Sequence, residues 1–140
     1  MSNKNISEVI VPEILKKDGV VNFNLNNANK EIVALSNVIG SYPTDSSWAH
    51  TLVNSDSNSA TLICQMAGEG NRRHFHPDWN EWWFIVEGAW DWEIEGDVKR
   101  VSSGDIVFIE KGRKHKITAV GDGRNIRLAV SRYDVAHVYD

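Results

Sequence analysis

Residues 68–88 read GEGNRRHFHPDWNEWWFIVEG, and three potential metal ligands, His74, His76 and Glu81, fall within eight residues of one another there. Successive side chains of a β-strand point to opposite faces, so imidazoles at i and i+2 project from the same face and can share an ion. The PDWN tetrad at 77–80 has turn chemistry, and EWWFIV at 81–86 is rich in aromatic and β-branched strand formers. A strand, a turn and a returning strand would bring Glu81 back beside the two histidines.

The same alternation of strand runs and polar turns extends on both sides. EIVALSNVI (31–39), WAHTLV (48–53) and SATLICQM (59–66) precede it as β-rich runs; AWDWEIEG (89–96), VKRVSSGDIVFIE (98–110), HKITAV (115–120) and NIRLAVSR (125–132) follow. No helix-period stripe is evident after residue 20, and no long crossover segment separates the runs. About eight short strands so connected predict an all-β antiparallel sandwich or barrel. Glu81, Trp83 and Ile85 share one face of their strand and Trp82, Phe84 and Val86 the other, so both faces need cover. In 89–96, Trp90 and Trp92 alternate with Asp91 and Glu93, the pattern of a strand with one buried and one wet face. Residues 1–30 read as an N-terminal arm or edge segment, with VPEILKKDGV (11–20) its one candidate helical turn, and 31–140 as a single domain.

Composition narrows the function classes. A 140-residue chain of net charge −4, without a concentrated Lys/Arg stretch, is a poor match for a nucleic-acid backbone. No run approaches the roughly 20 apolar residues that cross a bilayer, so no membrane partner is expected. The single Cys64 cannot form an intramolecular disulfide, and the start MSNKNISEVI lacks the apolar run of a signal peptide; both point to a cytoplasmic location. Cys64 sits in an apolar strand without a neighbouring base and reads as an inert buried thiol. His50 and His137, each isolated in sequence, read as packed or solvated side chains.

A second cluster, GDIVFIEKGRKHKITA (104–119), supplies the remaining signal. With it, the chain resembles the cupin superfamily. Gly68, His74, His76, Glu81 and Gly88 match the first cupin motif at every interval, and Gly104, Gly112 and His115 match the second; Glu110 stands where the family usually has proline, and Ala119 where it often has asparagine. The resemblance implies a double-stranded β-helix, or jelly-roll, barrel in which His74, His76, Glu81 and His115 bind one divalent metal. Three imidazoles and a carboxylate suit Fe(II), Mn(II), Ni(II), Co(II), Cu(II) or Zn(II), and an octahedral ion so held keeps two positions for water, oxygen or substrate.

On that reading Trp83, two residues after Glu81, points into the barrel and walls a substrate pocket. Trp82 and Phe84 become candidates for a homodimer surface. Arg72, on the ligand face of a regular strand, and Arg127, between Ile126 and Leu128, are the candidates to position an anionic substrate; Arg73 should point outward. The expectation is a metal-dependent enzyme acting on a small molecule, with an Fe(II) dioxygenase favoured over an isomerase, dehydratase or lyase, and over a non-catalytic binding module.

Overall fold

The strand runs and turns resolve into eleven strands and one short helix among the residues that the computed structural model describes, which are 23–24, 28–132 and 137–139. In chain order these are β1 (Phe23–Asn24), α1 (Leu35–Gly40), β2 (Trp48–Asn54), β3 (Ser59–Gln65), β4 (Gly70–Phe75), β5 (Glu81–Glu87), β6 (Ala89–Ile94), β7 (Asp97–Ser102), β8 (Ile106–Ile109), β9 (His115–Ala119), β10 (Asn125–Ser131) and β11 (Val138–Tyr139). They form a six-stranded sheet in the order β1-β2-β3-β10-β5-β8 and a five-stranded sheet in the order β11-β4-β9-β6-β7. Every pairing is antiparallel except that of β1 with β2. Because the chain passes from one sheet to the other at every connection from β3 to β11 except that between β6 and β7, the two sheets close as a jelly roll.

The inward residues of both sheets make the main core: Trp83 and Ile85 of β5, Val107 and Ile109 of β8, Trp90 and Trp92 of β6, and Ile117 and Ala119 of β9. All are buried, so the rings that dominate this short chain's apolar area fill the space between the sheets. A second cluster lies on the outer face of the six-stranded sheet, where Trp48, Leu62, Cys64 and Ile126 meet Leu35, Val38, Ile39 and Tyr42. Burial there pushes the Cys64 thiol up to about 12, which leaves it protonated and inert.

That cluster corrects one sequence expectation. Residues 35–40, expected to be part of a strand, form α1. Leu35, Val38 and Ile39 stand at i, i+3 and i+4 and so occupy one helix face, which covers the sheet. One turn and a half is too short for its periodicity to stand out from a β-branched run. The candidate helical turn at 11–20 lies outside the described residues, while Phe23–Asn24 form an edge strand.

The turn from β5 to β6 shows why the first motif ends in glycine. Gly88 has φ +83°, and a Cβ there would lie 2.2 Å from Asn125 Oδ1 and 2.9 Å from Asn125 Cα. The buried Asn125 amide fills that space: Oδ1 accepts from Ala89 N–H at 3.0 Å, and Nδ2 donates to the carbonyls of Gln65, Gly121 and Gly123 at 3.1–3.2 Å. One side chain thus ties three turns and strands together. Asn125→Ala is expected to destabilise the fold by about 2 kcal/mol, since it leaves buried backbone groups without partners. Urea unfolding with an unchanged m-value would measure it.

Candidate metal centre

Strand register brings the ligand candidates together. On β4 and β9, His74 and His115 are direct antiparallel partners, and His76 follows two residues later, just past the end of β4. The carbonyl of His76 accepts a hydrogen bond from Gly112 N–H at 2.7 Å, which ties the end of β4 to the turn preceding β9. Glu81 opens β5 and returns across the PDWN turn.

Nitrogen atoms of His74, His76 and His115 all lie within 4.8 Å of one another, and all three rings are buried. His74 Nδ1 lies 2.6 Å from the Arg72 carbonyl and His115 Nδ1 lies 3.1 Å from that of Arg113. A carbonyl only accepts, so each Nδ1 carries the proton and each Nε2 presents a lone pair. Among the described residues His115 Nε2 is buried without a hydrogen-bond partner, and Glu81 Oε1 lies 2.6 Å from His76 Nε2 without hydrogen-bond angles. Such lone pairs crowded into a buried space match what a divalent cation requires, and the donor types suit one.

Burial keeps the His74 and His115 rings neutral. Burial, then the neighbouring His115 ring, holds the His74 imidazole far below its usual range, at about 3. Burial also lowers His115. Neutral imidazole is the form that binds metal. The unfolded chain takes up a proton at His74 near pH 6.5, whereas the folded one resists protonation down to about 3. The unfolded state therefore binds more protons between those values, and the metal-free fold loses stability as pH falls through that window. In chelator, the melting temperature should already drop between about pH 6.5 and 5, above the range where ordinary carboxylates titrate. A melting temperature flat across that interval would contradict the His74 shift.

The expected substrate-facing residues divide. Trp83 is buried with its ring centroid 5.5 Å from that of His115 and 5.1 Å from that of Trp92. Arg127 is fully buried on the inner face of β10; its guanidinium donates to Gln65 Oε1 at 2.5 Å and Asn71 Oδ1 at 2.9 Å and lies 4.6 Å from the Trp90 ring centroid. Arg72 does not enter the barrel. The β4–β9 pairing shifts between Asn71 and His74, so three steps along β4 match two along β9. This bulge turns Asn71 inward and leaves both Arg72 and Arg73 exposed before His74 turns in again. Regular alternation, on which the Arg72 expectation rested, fails there. The Arg72 guanidinium instead lies 3.9 Å from the Tyr139 ring centroid, at the rim.

Sequence reasoning left the facing of Gln65 open and missed Asn71, His137 and Tyr139. Gln65 and Asn71 hold Arg127; the facing of Gln65 was not fixed by the sequence, and Asn71 faces inward only because of the β4 bulge. His137 and Tyr139 lie beside the histidine cluster, with ring centroids 5.1 and 5.8 Å from that of His74. His137 looked isolated because its neighbours in space lie about sixty residues away in sequence.

Comparison with known proteins follows the same lines. The family model described as Cupin domain matches residues 61–131. This chain belongs to the cupins. The match covers β3 to β10 and all four ligand candidates. Among solved structures, this cupin is similar to a conserved protein with a double-stranded β-helix domain from Klebsiella pneumoniae, at TM-score 0.65 and 16% identity over 80% of this chain and 100% of that one. It is also similar to the polyketide cyclase RemF from Streptomyces resistomycificus, at TM-score 0.60 and 18% identity over 66% of this chain and 70% of that one. A third similarity is to the DMSP lyase DddQ from Ruegeria pomeroyi, at TM-score 0.57 and 28% identity over 66% of this chain and 51% of that one. Comparison with curated protein sequences gives no match. Among the described residues of this cupin, no helix is long and apolar enough to cross a membrane.

Proposed function

We propose that this cupin is a metal-dependent enzyme acting on a small anionic molecule by lyase or isomerase chemistry that consumes no oxygen. The convergence of His74, His76 and His115, with Glu81 Oε1 against His76 Nε2, carries the reading. His74, His76, Glu81 and His115 would hold one divalent ion, which would polarise a ligand oxygen or acidify a bound water. Trp83 walls the site beside His115 and excludes water. Arg127, buried and clamped by Gln65 and Asn71, places a fixed positive charge in the interior; burial above all, and its charge least, lower the basicity of His115. An anion gains from such a fixed charge without reorganising it. Likeness to a protein named as a DMSP lyase supports the reaction class.

An Fe(II) dioxygenase is the second reading, favoured by a donor set of three imidazoles and one carboxylate, which suits Fe(II) with positions left open. One experiment separates the two. The purified protein is assayed for metal, then loaded with Mn(II), Zn(II) or Fe(II) and incubated anaerobically and in air with a panel of small carboxylates. Anaerobic product formation supports the first reading, and turnover only with Fe(II) and oxygen uptake supports the second. Turnover with no metal present would overturn both.

The exposed face of β5 and β8 suits a second copy of the chain in a homodimer. Trp82 pairs with Phe108 and Phe84 with Ile106 across these strands, and β8 is the sheet edge. Trp82, Ile106 and Phe108 are 40%, 66% and 58% exposed, an apolar patch that solitary surface residues do not explain. Light scattering should give twice the chain mass, falling to one chain in Phe108→Asp. A wild-type monomer would exclude this.

A further inference from the structure

The C-terminal strand delivers two aromatic side chains to the centre from outside both ligand clusters. β11 pairs with β4 so that Val138 stands opposite Phe75 and Tyr139 opposite His74. His137, one residue earlier, has its ring centroid 5.1 Å from that of His74 and 4.6 Å from that of His76, the latter at an interplanar angle of 81°. The Tyr139 ring stacks on His137 at 6.5 Å and 19°. The Arg72 guanidinium lies over the Tyr139 ring, 3.9 Å from its centroid. The strand is thus held by backbone pairing and by a cation–π contact that the β4 bulge makes available.

The nitrogens that lie within 4.8 Å of one another belong to His74, His76 and His115, and His137 stands beside that set. A molecule occupying a position next to both His74 and His76 would meet His137, the imidazole that, among the described residues, lies against both rings from outside the three-histidine group. Neutral imidazole offers an N–H donor and a lone-pair acceptor on opposite ring edges, so it can hold an oxygen- or nitrogen-donor ligand while resting on its neighbours.

Resting on the metal-centre reading above, we propose that His137 is a positioning residue of this site: it hydrogen-bonds the small anionic ligand bound on the His74–His76 side, and β11 is the wall that carries it. The C-terminal residues are then part of the active centre, and Tyr139 with Arg72 holds that wall in place.

Azide binding to the Co(II)-loaded full-length protein, followed by visible absorption, tests this. His137→Phe keeps a ring of similar shape without nitrogen. It should bind Co(II) within about twofold of wild type but weaken azide about tenfold, the loss expected for one hydrogen bond to an anion. His137→Gln, which keeps a hydrogen-bonding group, should recover most of that affinity, and Tyr139→Ala should show a smaller loss. Unchanged azide affinity in His137→Phe would overturn the proposal while leaving the metal centre standing. Loss of Co(II) in His137→Phe would overturn it by making His137 a ligand or a structural support. A wild type that takes up no Co(II) would overturn the metal-centre reading, and this one with it.

Discussion

His76→Ala is expected to abolish metal binding by this protein. The side chain is buried, its Nε2 lies 2.6 Å from Glu81 Oε1, and it belongs to the three-histidine group. Removing an outer-shell partner of a ligand already lowers metal affinity by roughly 10–100-fold, so removing a ligand itself is expected to exceed about a hundredfold. The backbone survives, because the tie from Gly112 N–H is to the His76 carbonyl and not to its ring. Two measurements check the result. Metal content after purification should fall to background, and the rise in melting temperature expected when metal is added to the wild type should vanish. That rise reflects about 2.7 kcal/mol when free metal stands at a hundred times its dissociation constant. A variant that keeps stoichiometric metal would overturn the coordination.

Gly70→Ala is expected to unfold the site without touching a ligand. A Cβ at Gly70 would lie 1.8 Å from the Ile117 carbonyl oxygen, 2.7 Å from its carbon and 2.9 Å from Thr118 Cα. All three atoms are backbone, so no rotamer change can relieve the contact, and β4 must separate from β9. Overpacking ordinarily costs about 1–3 kcal/mol, and a rigid obstacle places this change at about 3 kcal/mol or above. Because His74 and His115 are partners on those two strands, metal affinity should fall with stability. Gly68→Ala is the control. Gly68 has φ +93° but open space around its Cβ position, so its cost is backbone strain of about 1–2 kcal/mol. Equal denaturation midpoints for the two variants would show that the β4–β9 contact is not the determinant.

Much of the centre was legible because it rests on local rules. Two-residue alternation placed His74 and His76 on one face, PDWN turned the chain, and the resemblance of the second cluster to the second cupin motif implied His115. The burial of Trp83, Trp90 and Trp92 follows from the same period, as does the exposure of Trp82. Short elements and irregular steps were less legible. The helix at 35–40 has too few turns for its period to stand out, and the β4 bulge inserts one residue that reverses every inference based on alternation upstream of His74. Arg72 was lost to the pocket and Asn71 gained by it through that single step.

What the sequence by itself determined is the all-β class, the turns, and a set of imidazoles and a carboxylate disposed to face one interior. Those properties depend on residues within a few positions of one another, where strand period and turn chemistry act. The tertiary structure alone decided that His74 stands opposite His115, that Gly70 presses on the Ile117 carbonyl, that Gln65 and Asn71 clamp Arg127, and that His137 and Tyr139 lie beside the histidine cluster. Each of these joins strands distant in sequence. Which strands become neighbours, and in what register, is set by closure of the two sheets around their common core, a property that no local pattern contains.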